Sequence, residues 1–140
     1  MKLLITGGAG FIGSNLIKII LKEFGYKVLN LDKLTYASNL KSLENDQSNP
    51  CYDFVKKDIC DFNSITKVIE NFRPTKIIHL AAESHVDRSI DSAEQFIKTN
   101  INGTYNLLEA SRSYFENLED EEKKNFLFHH VSTDEVYGSL

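Results

Sequence analysis

Cysteine is almost missing from this sequence. Cys51 and Cys60 are the only two in 140 residues, and they offer neither a C-x-x-C pair nor metal-ligand spacing with a histidine. This argues against a disulfide framework or a metal centre and leaves two reduced thiols in a cytoplasmic protein as the expectation. Long apolar runs are missing as well. The first apolar stretch is interrupted by the glycines from Gly7 to Gly13, well short of a signal-peptide core or a membrane span, so no membrane partner is expected. Basic charge is not in excess. Sixteen Lys and Arg against 20 Asp and Glu give a formal net charge of −4, and the cations are scattered, which leaves no long-range pull toward nucleic acid. Repeats and low-complexity segments do not occur. What is left is the size and composition of one compact globular domain with a small-molecule partner.

Glycine is concentrated in one place. In the stretch from Ile5 to Asn15, Gly8, Gly10 and Gly13 satisfy G-x-G-x-x-G, while Gly7, Gly10 and Gly13 satisfy G-x-x-G-x-x-G. Lys2 to Thr6 predicts a strand that stops at this turn, where glycines allow φ > 0 and let the backbone approach a pyrophosphate. A helix from about Phe11 then presents its unpaired N–H groups to the anion. The spacing alone would equally suit a glycine-rich β-turn without a ligand.

The residues that follow favour the ligand. Ile12, Leu16, Ile19 and Ile20, with Phe24 behind them, predict the buried face of that helix, and Gly25 predicts its C-terminal stop. Val28 to Leu31 predicts a second strand ending at Asp32, which lies 19 residues past Gly13. A dinucleotide-binding βαβ unit puts the carboxylate that receives the adenosine ribose hydroxyls about there. The same carboxylate would repel a 2′-phosphate, so NAD is expected rather than NADP, with Lys33 beside it as a partial offset.

Beyond Leu34 the sequence is polar, with a loop at Thr35 to Asn39, at most a short helix from Leu40 to Asn45, and a break at Asn49-Pro50. Tyr52 to Lys57 predicts a third strand. Asp61 is placed to cap the next helix, in which Ile65, Val68, Ile69 and Phe72 keep helical spacing until Arg73-Pro74. Lys76 to Ala82 predicts a fourth strand, apolar nearly throughout, as suits a central parallel strand covered on both faces. Ala93 to Phe115 predicts a long helix with Phe96, Asn100, Gly103, Leu107, Ala110 and Tyr114 on one face. Gly103 costs such a helix about 1 kcal/mol relative to alanine and so implies a close packing contact. Glu119 to Lys124 reads as a solvated loop or helix end. Phe126 to Ser132 predicts a fifth strand, in which adjacent His129 and His130 point to opposite faces, so both are structural and no metal is expected. Five strands alternating with helices give an α/β fold, a doubly wound parallel sheet of Rossmann type in the order 3-2-1-4-5, over residues 1–140.

Ligands of such sheets sit at the carboxyl ends of the strands, and every unusual stretch here follows a strand. Taken together, Gly7 to Gly13, Asp32 to Asn39, Asp58-Ile59, Ala81 to Ser89 and Thr133 to Gly138 resemble the extended short-chain dehydrogenase/reductase family. Asp32-Lys33-Leu34-Thr35-Tyr36-Ala37, Glu83-Ser84-His85-Val86-Asp87-Arg88-Ser89 and Ser132-Thr133-Asp134-Glu135-Val136-Tyr137-Gly138 are similar to its dTDP-glucose 4,6-dehydratase branch. Ser38 departs from the glycine usual there before Asn39. The resemblance implies NAD contacts at Gly7, Gly10, Phe11, Ile12 and Gly13, at Asp32, Lys33, Leu34 and Thr35, and at Asp58 and Ile59, with Asp58 by the adenine. Further contacts are implied at Leu80, Ala81, Ala82, Glu83, Ser84 and Thr99.

The same resemblance implies that Ser84 and His85 lie toward the sugar and that Thr133 hydrogen-bonds the hydroxyl being oxidised. Asp134 is the implied general acid and Glu135 the implied general base. The implied substrate is dTDP-glucose, and the full-length enzyme is expected to be a homodimer. Oxidation at carbon 4 of the hexose acidifies the carbon 5 proton, so elimination of water across carbons 5 and 6 needs one base and one acid before hydride returns to carbon 6. Asp134 and Glu135 are otherwise two solvated loop acids, because consecutive strand residues diverge. They converge only where the chain leaves extended geometry, and Val136-Tyr137-Gly138 offers such a turn. The family's Tyr-x-x-x-Lys base does not occur here, so the expectation is the N-terminal portion of a longer enzyme, without the nucleotide-sugar domain and inactive alone. Two alternatives stay open: another NAD-dependent nucleotide-sugar epimerase or decarboxylase, and a non-catalytic dinucleotide-binding module.

Overall fold

Strand β1 (Lys2–Thr6) is the axis on which the remaining elements are laid, since it pairs with a neighbour along both edges. The computed structural model describes residues 1–85 and 93–138; the motif residues Val86 to Ser89 and the side chain of Glu135 lie outside that description. Strands β2 (Lys27–Asp32), β3 (Tyr52–Lys56), β4 (Lys76–His79) and β5 (Leu127–His130) complete a five-stranded parallel sheet in the order β3-β2-β1-β4-β5. This is the expected order, and it puts the reversal of strand order between β1 and β4. The last two strands are shorter than their apolar runs. Thr6 and His79 are the final register pair of β1 and β4, because the chain leaves β1 at Gly7 and takes the edge with it; Leu80 N–H still donates to Thr6 C=O at 3.0 Å.

The helices are α1 (Phe11–Ile19), α2 (Phe62–Phe72), α3 (Ala93–Phe96), α4 (Thr104–Glu116) and α5 (Asp120–Asn125). Alternation along the strands divides the core into two layers. Leu4, Leu31 and Ile77 turn to one face and meet Ile65, Ile69, Leu107 and Ala110 from α2 and α4. Leu3, Ile5 and Val28 turn to the other and meet Ile17, Ile20 and Leu21, with Leu43 and Tyr52 beside them. Both faces are covered, which is why the strands read as continuous apolar runs.

α1 runs on through a π-helical turn, Ile20–Phe24, and stops at Gly25 in the left-handed region with φ 60°. The stop is the predicted one, but of the predicted buried face only Ile20, with half-buried Leu16 beside it, meets the core. Gly13, Ser14, Ile17, Ile20 and Leu21 are buried, while Ile12, Ile19 and Phe24 are 64%, 54% and 57% exposed. The cause is Gly13, where a Cβ would lie 2.5 Å from Gly7 O. The helix must turn this position toward the preceding loop, and Ile17 and Leu21 follow at four-residue spacing.

Asp61 caps α2 as expected, accepting from Ser64 N–H at 3.1 Å. The run from Ala93 to Glu116 is helical throughout, with an unexpected π-helical stretch, Ile97–Gly103, between α3 and α4. Its packed face includes Gly103, Leu107, Ala110 and Tyr114 as predicted, with Thr99 and Ser111 alongside. A Cβ on Gly103 would stand 2.7 Å from the Ile59 side chain, which is the close contact that its glycine implied. The charged run is a helix, α5, rather than a loop. Glu119 and Glu122 form a capping box, and acids in the first turn with lysines in the last suit the helix dipole.

The sheet also carries a buried polar bridge at His79. His79 is 1% exposed; its Nδ1 lies 2.7 Å from Thr6 Oγ1 and its Nε2 3.0 Å from Thr104 Oγ1. Two hydroxyls satisfy a neutral imidazole in either tautomer. Burial pushes the His79 imidazole down to about 4, aided by repulsion from His130, whose ring centroid is 5.0 Å away. A native value below the unfolded one of about 6.5 means that unfolding takes up a proton between the two. The stability is therefore complete above about pH 6.5 and falls with pH toward 4, by an amount on the order of 3 kcal/mol. Urea midpoints should decline over that window, and His79→Asn should be less stable at pH 7.5 yet show a flatter decline; equal slopes in both proteins would refute the assignment.

Candidate functional site

The carboxyl ends of the strands open into a cleft of about 400 Å³. Its floor is the glycine turn. Gly7 has φ 73°, and a Cβ there would stand 2.7 Å from Ala81 N, so the turn passes directly against the chain leaving β4. Gly10 N–H closes the turn on Gly7 C=O at 3.1 Å, and the first helical bond is Ser14 N–H to Gly10 C=O at 2.9 Å. The N–H groups of Phe11, Ile12 and Gly13 thus precede the helical ladder. Gly10 supplies no capping side chain, and the first turn of α1 holds no acid. The positive end of this helix is left for an anion from outside the chain.

Asp32, at the end of β2, is buried in the cleft wall. Its Oδ2 accepts from Ala9 N–H at 3.0 Å, and its Oδ1 accepts from Leu34 N–H at 2.8 Å and Ser38 Oγ at 2.9 Å. A carboxylate has about four lone-pair positions, so these donors leave about one, on Oδ2. Leu34 reaches back to Asp32 by taking φ 60°, a left-handed conformation that costs a non-glycine residue roughly 1–2 kcal/mol. Ser38 needs no such conformation: the positive-φ residues other than glycine among those described are Leu34 and Arg73. Serine therefore fits the backbone here, and its hydroxyl adds a hydrogen bond that glycine could not make.

The far wall comes from β4 and the π-helical stretch. Asn100 clamps Glu83, accepting from its N–H at 2.8 Å and donating to its C=O at 2.9 Å. Lys33 Nζ lies 3.4 Å from Glu83 Oε1 and donates to Thr99 Oγ1 at 3.1 Å. At the mouth the rings of Tyr36 and His85 meet with centroids 5.7 Å apart.

Most of the expected contact residues converge. Gly7, Gly10, Phe11, Ile12, Gly13, Asp32, Lys33, Thr35, Ile59, Leu80, Ala81, Ala82, Glu83, Ser84, His85 and Thr99 all line the cleft. Leu34 and Asp58 are not among its lining residues. Leu34 contributes its N–H to Asp32, and the Asp58 carboxylate accepts from Cys60 N–H at 2.9 Å. Ala37, Ser38 and Lys57 line it as well and were not anticipated as contacts. The strand after which each sits was legible, but which loop residues turn inward depends on tertiary bonds such as that of Ser38 to Asp32. Past Val131, which also lines the cleft, Asp134–Tyr137 forms a 3₁₀ turn and Thr133 Oγ1 donates to Asp134 Oδ1 at 3.2 Å. The chain leaves extended geometry where convergence of the two acids requires it.

The family profile described as GDP-mannose 4,6 dehydratase matches residues 4–140. The chain belongs to that family. It is 55% identical over 140 residues to the dTDP-glucose 4,6-dehydratase of Salmonella typhimurium, covering all of this chain and 39% of the relative. It is 53% identical to that of Haemophilus influenzae, covering 100% of this chain and 41% of the relative. Among solved structures, a dTDP-glucose 4,6-dehydratase from Streptomyces venezuelae with NAD bound superposes with a TM-score of 0.85 at 40% identity, over 100% of this chain and 42% of that one. The chain thus spans about two fifths of the length of the relatives it matches.

The glycines are not equivalent. A Cβ at Gly13 would meet backbone at 2.5 and 2.6 Å, whereas at Gly10 the nearest atom is 3.3 Å away. Gly13→Ala should cost about 1–3 kcal/mol in urea unfolding, and Gly10→Ala much less; equal losses would show that the turn is not held by the close approach.

Proposed function

We propose that residues 1–140 are the NAD-binding part of a dTDP-glucose 4,6-dehydratase, with Thr133, Asp134 and Glu135 in its catalytic centre. The observation that supports this reading is the turn after β5, in which Thr133 Oγ1 donates to Asp134 Oδ1 a few residues past Val131 of the cleft wall. An epimerase needs the glycine turn and Asp32 too, but not adjacent acids for an elimination.

The donor set suits NAD. The uncapped start of α1 would bind the pyrophosphate through the N–H groups of Phe11, Ile12 and Gly13, and Asp32 keeps an Oδ2 position for a ribose hydroxyl. When bound, NAD supplies reversible hydride acceptance. The protein's own groups do the proton work. Thr133 holds the hydroxyl at carbon 4 of the hexose, and Ser84 and His85 orient the sugar at the cleft mouth. Oxidation at carbon 4 gives up a hydride and the hydroxyl proton, the latter to the family's Tyr-x-x-x-Lys base, which these residues do not contain. The resulting ketone acidifies the proton on carbon 5; Glu135 takes that proton, the carbon 6–oxygen bond breaks, and Asp134 protonates the departing hydroxyl to water.

We further infer a cytoplasmic protein, where Cys51 and Cys60, unpaired with one another, stay reduced. We also infer a full-length homodimer. Ile97, Ile101, Tyr105, Leu108 and Phe115 form an exposed apolar stripe along the outer side of the helical run ending at Glu116, a surface suited to pairing with its own copy.

Calorimetric titration tests the cofactor: NAD should bind more tightly than NADP, with the preference weakened in Asp32→Ala, and tighter NADP binding by the unmodified protein would overturn it. In the full-length enzyme, Asp134→Asn and Glu135→Gln should each slow elimination by about 10²–10⁴ while sparing hydride removal. Single-turnover absorbance should then show reduced cofactor accumulating. Elimination at the unmodified rate in both variants would return the two acids to the role of solvated loop residues.

A further inference from the structure

We propose that Glu83 is a positioning residue for cofactor choice: it holds the Lys33 ammonium away from the ribose edge of the cleft, so that a 2′-phosphate would meet Asp32 without a compensating cation. This rests on the NAD reading of the site. Lys33 follows Asp32 directly, and a free ammonium there would be the natural partner for a phosphate on the adenosine ribose, since lysine binds phosphate as a point charge. The two side chains have different partners. Val28 packs into the layer of α1 and Leu31 into that of α2 and α4, so by alternation Asp32 turns toward the glycine turn, whereas Lys33, one residue past the end of the strand, reaches Thr99 and Glu83 on the far wall.

There the ammonium is already engaged. It lies 3.4 Å from Glu83 Oε1 and donates to Thr99 Oγ1 at 3.1 Å, and the Lys33 and Glu83 side chains are only 25% and 12% exposed. Solvent screens such a pair weakly. Glu83 is not free to follow its partner. Asn100 bonds both its N–H and its C=O, and the Tyr36 hydroxyl lies 3.5 Å from Oε2. Drawing Lys33 toward a phosphate would strip a largely buried carboxylate of its cation, which is the costly way to break an ion pair. Among the described donors lining that edge, the Ser38 hydroxyl is committed to Asp32. Discrimination against NADP therefore has two parts, the charge of Asp32 and the sequestration of Lys33.

Glu83→Gln keeps the shape of the side chain and removes the charge that retains Lys33. Titrating NAD and NADP into the purified protein, we expect Glu83→Gln to narrow the ratio of the two Kd values by about tenfold, mainly through tighter NADP. Adding Lys33→Met should restore the unmodified ratio, because the gain runs through that ammonium. Lys57 also lines the cleft, but it is present in every variant and cancels from the comparison. Glu83→Ala provides a second way to release Lys33 and should narrow the ratio in the same direction. An unchanged ratio in both Glu83 variants, or a narrowed ratio that survives Lys33→Met, would overturn this role. Failure of the NAD reading itself has a separate signature, an unmodified protein that binds no NAD, and it would remove this role as well.

Discussion

No side chain fits between the turn after β1 and the chain leaving β4. Gly7 lies against the backbone of Leu80 and Ala81, and Gly13 lies against Gly7 and Gly8. These two approaches bring α1 down onto the carboxyl end of the sheet with its first N–H groups facing the cleft. They also set the rotation of the helix, so that Ile17 and Leu21 enter the core while Ile12 and Ile19 do not. The hydrophobic layer beneath is in this sense arranged by the backbone contact above it.

Asp32 acts as the second fixed point. Its carboxylate ties the glycine turn at Ala9 to the β2 loop at Leu34 and Ser38, and Asn39 N–H returns to Ala9 C=O at 2.8 Å. A single side chain thereby joins two of the loops that make the cleft, and the left-handed Leu34 is the local cost of doing so. The opposite wall is joined to β2 by Lys33 and to the π-helical stretch by Thr99 and Asn100.

The strands, their order and the cap and stop residues were legible in the sequence because each rests on local chemistry. Asp61 accepts from a nearby N–H, Gly25 takes a left-handed φ, and alternation separates the faces of the sheet. The buried face of α1 was only partly legible, at Leu16 and Ile20, because its apolar residues run around most of the helix and the Gly13 contact selects among them. Of the site, the residues at strand ends could be read directly. The inward turn of Ser38 and Lys57 could not, since nothing in their neighbours' types specifies a tertiary partner. Charge alone does not distinguish α5 from a solvated loop; the capping box of Glu119 and Glu122 is what makes the run a helix.

The π-helical stretch has a consequence for how this wall tolerates change. An α-helix advances about 100° per residue, so neighbours such as Thr99 and Asn100 ordinarily face well apart. The wider turn accommodates one residue more than α-helical spacing would, and within it Thr99 meets Lys33, Asn100 meets Glu83, and Gly103 still packs on Ile59. The segment is in effect a one-residue insertion retained inside a helix. Its length bears on the wall more than its exposed side chains do: Ile97 and Ile101 face away from both polar contacts, whereas the rotation that sets Thr99 and Asn100 on Lys33 and Glu83 depends on the extra residue of the wide turn.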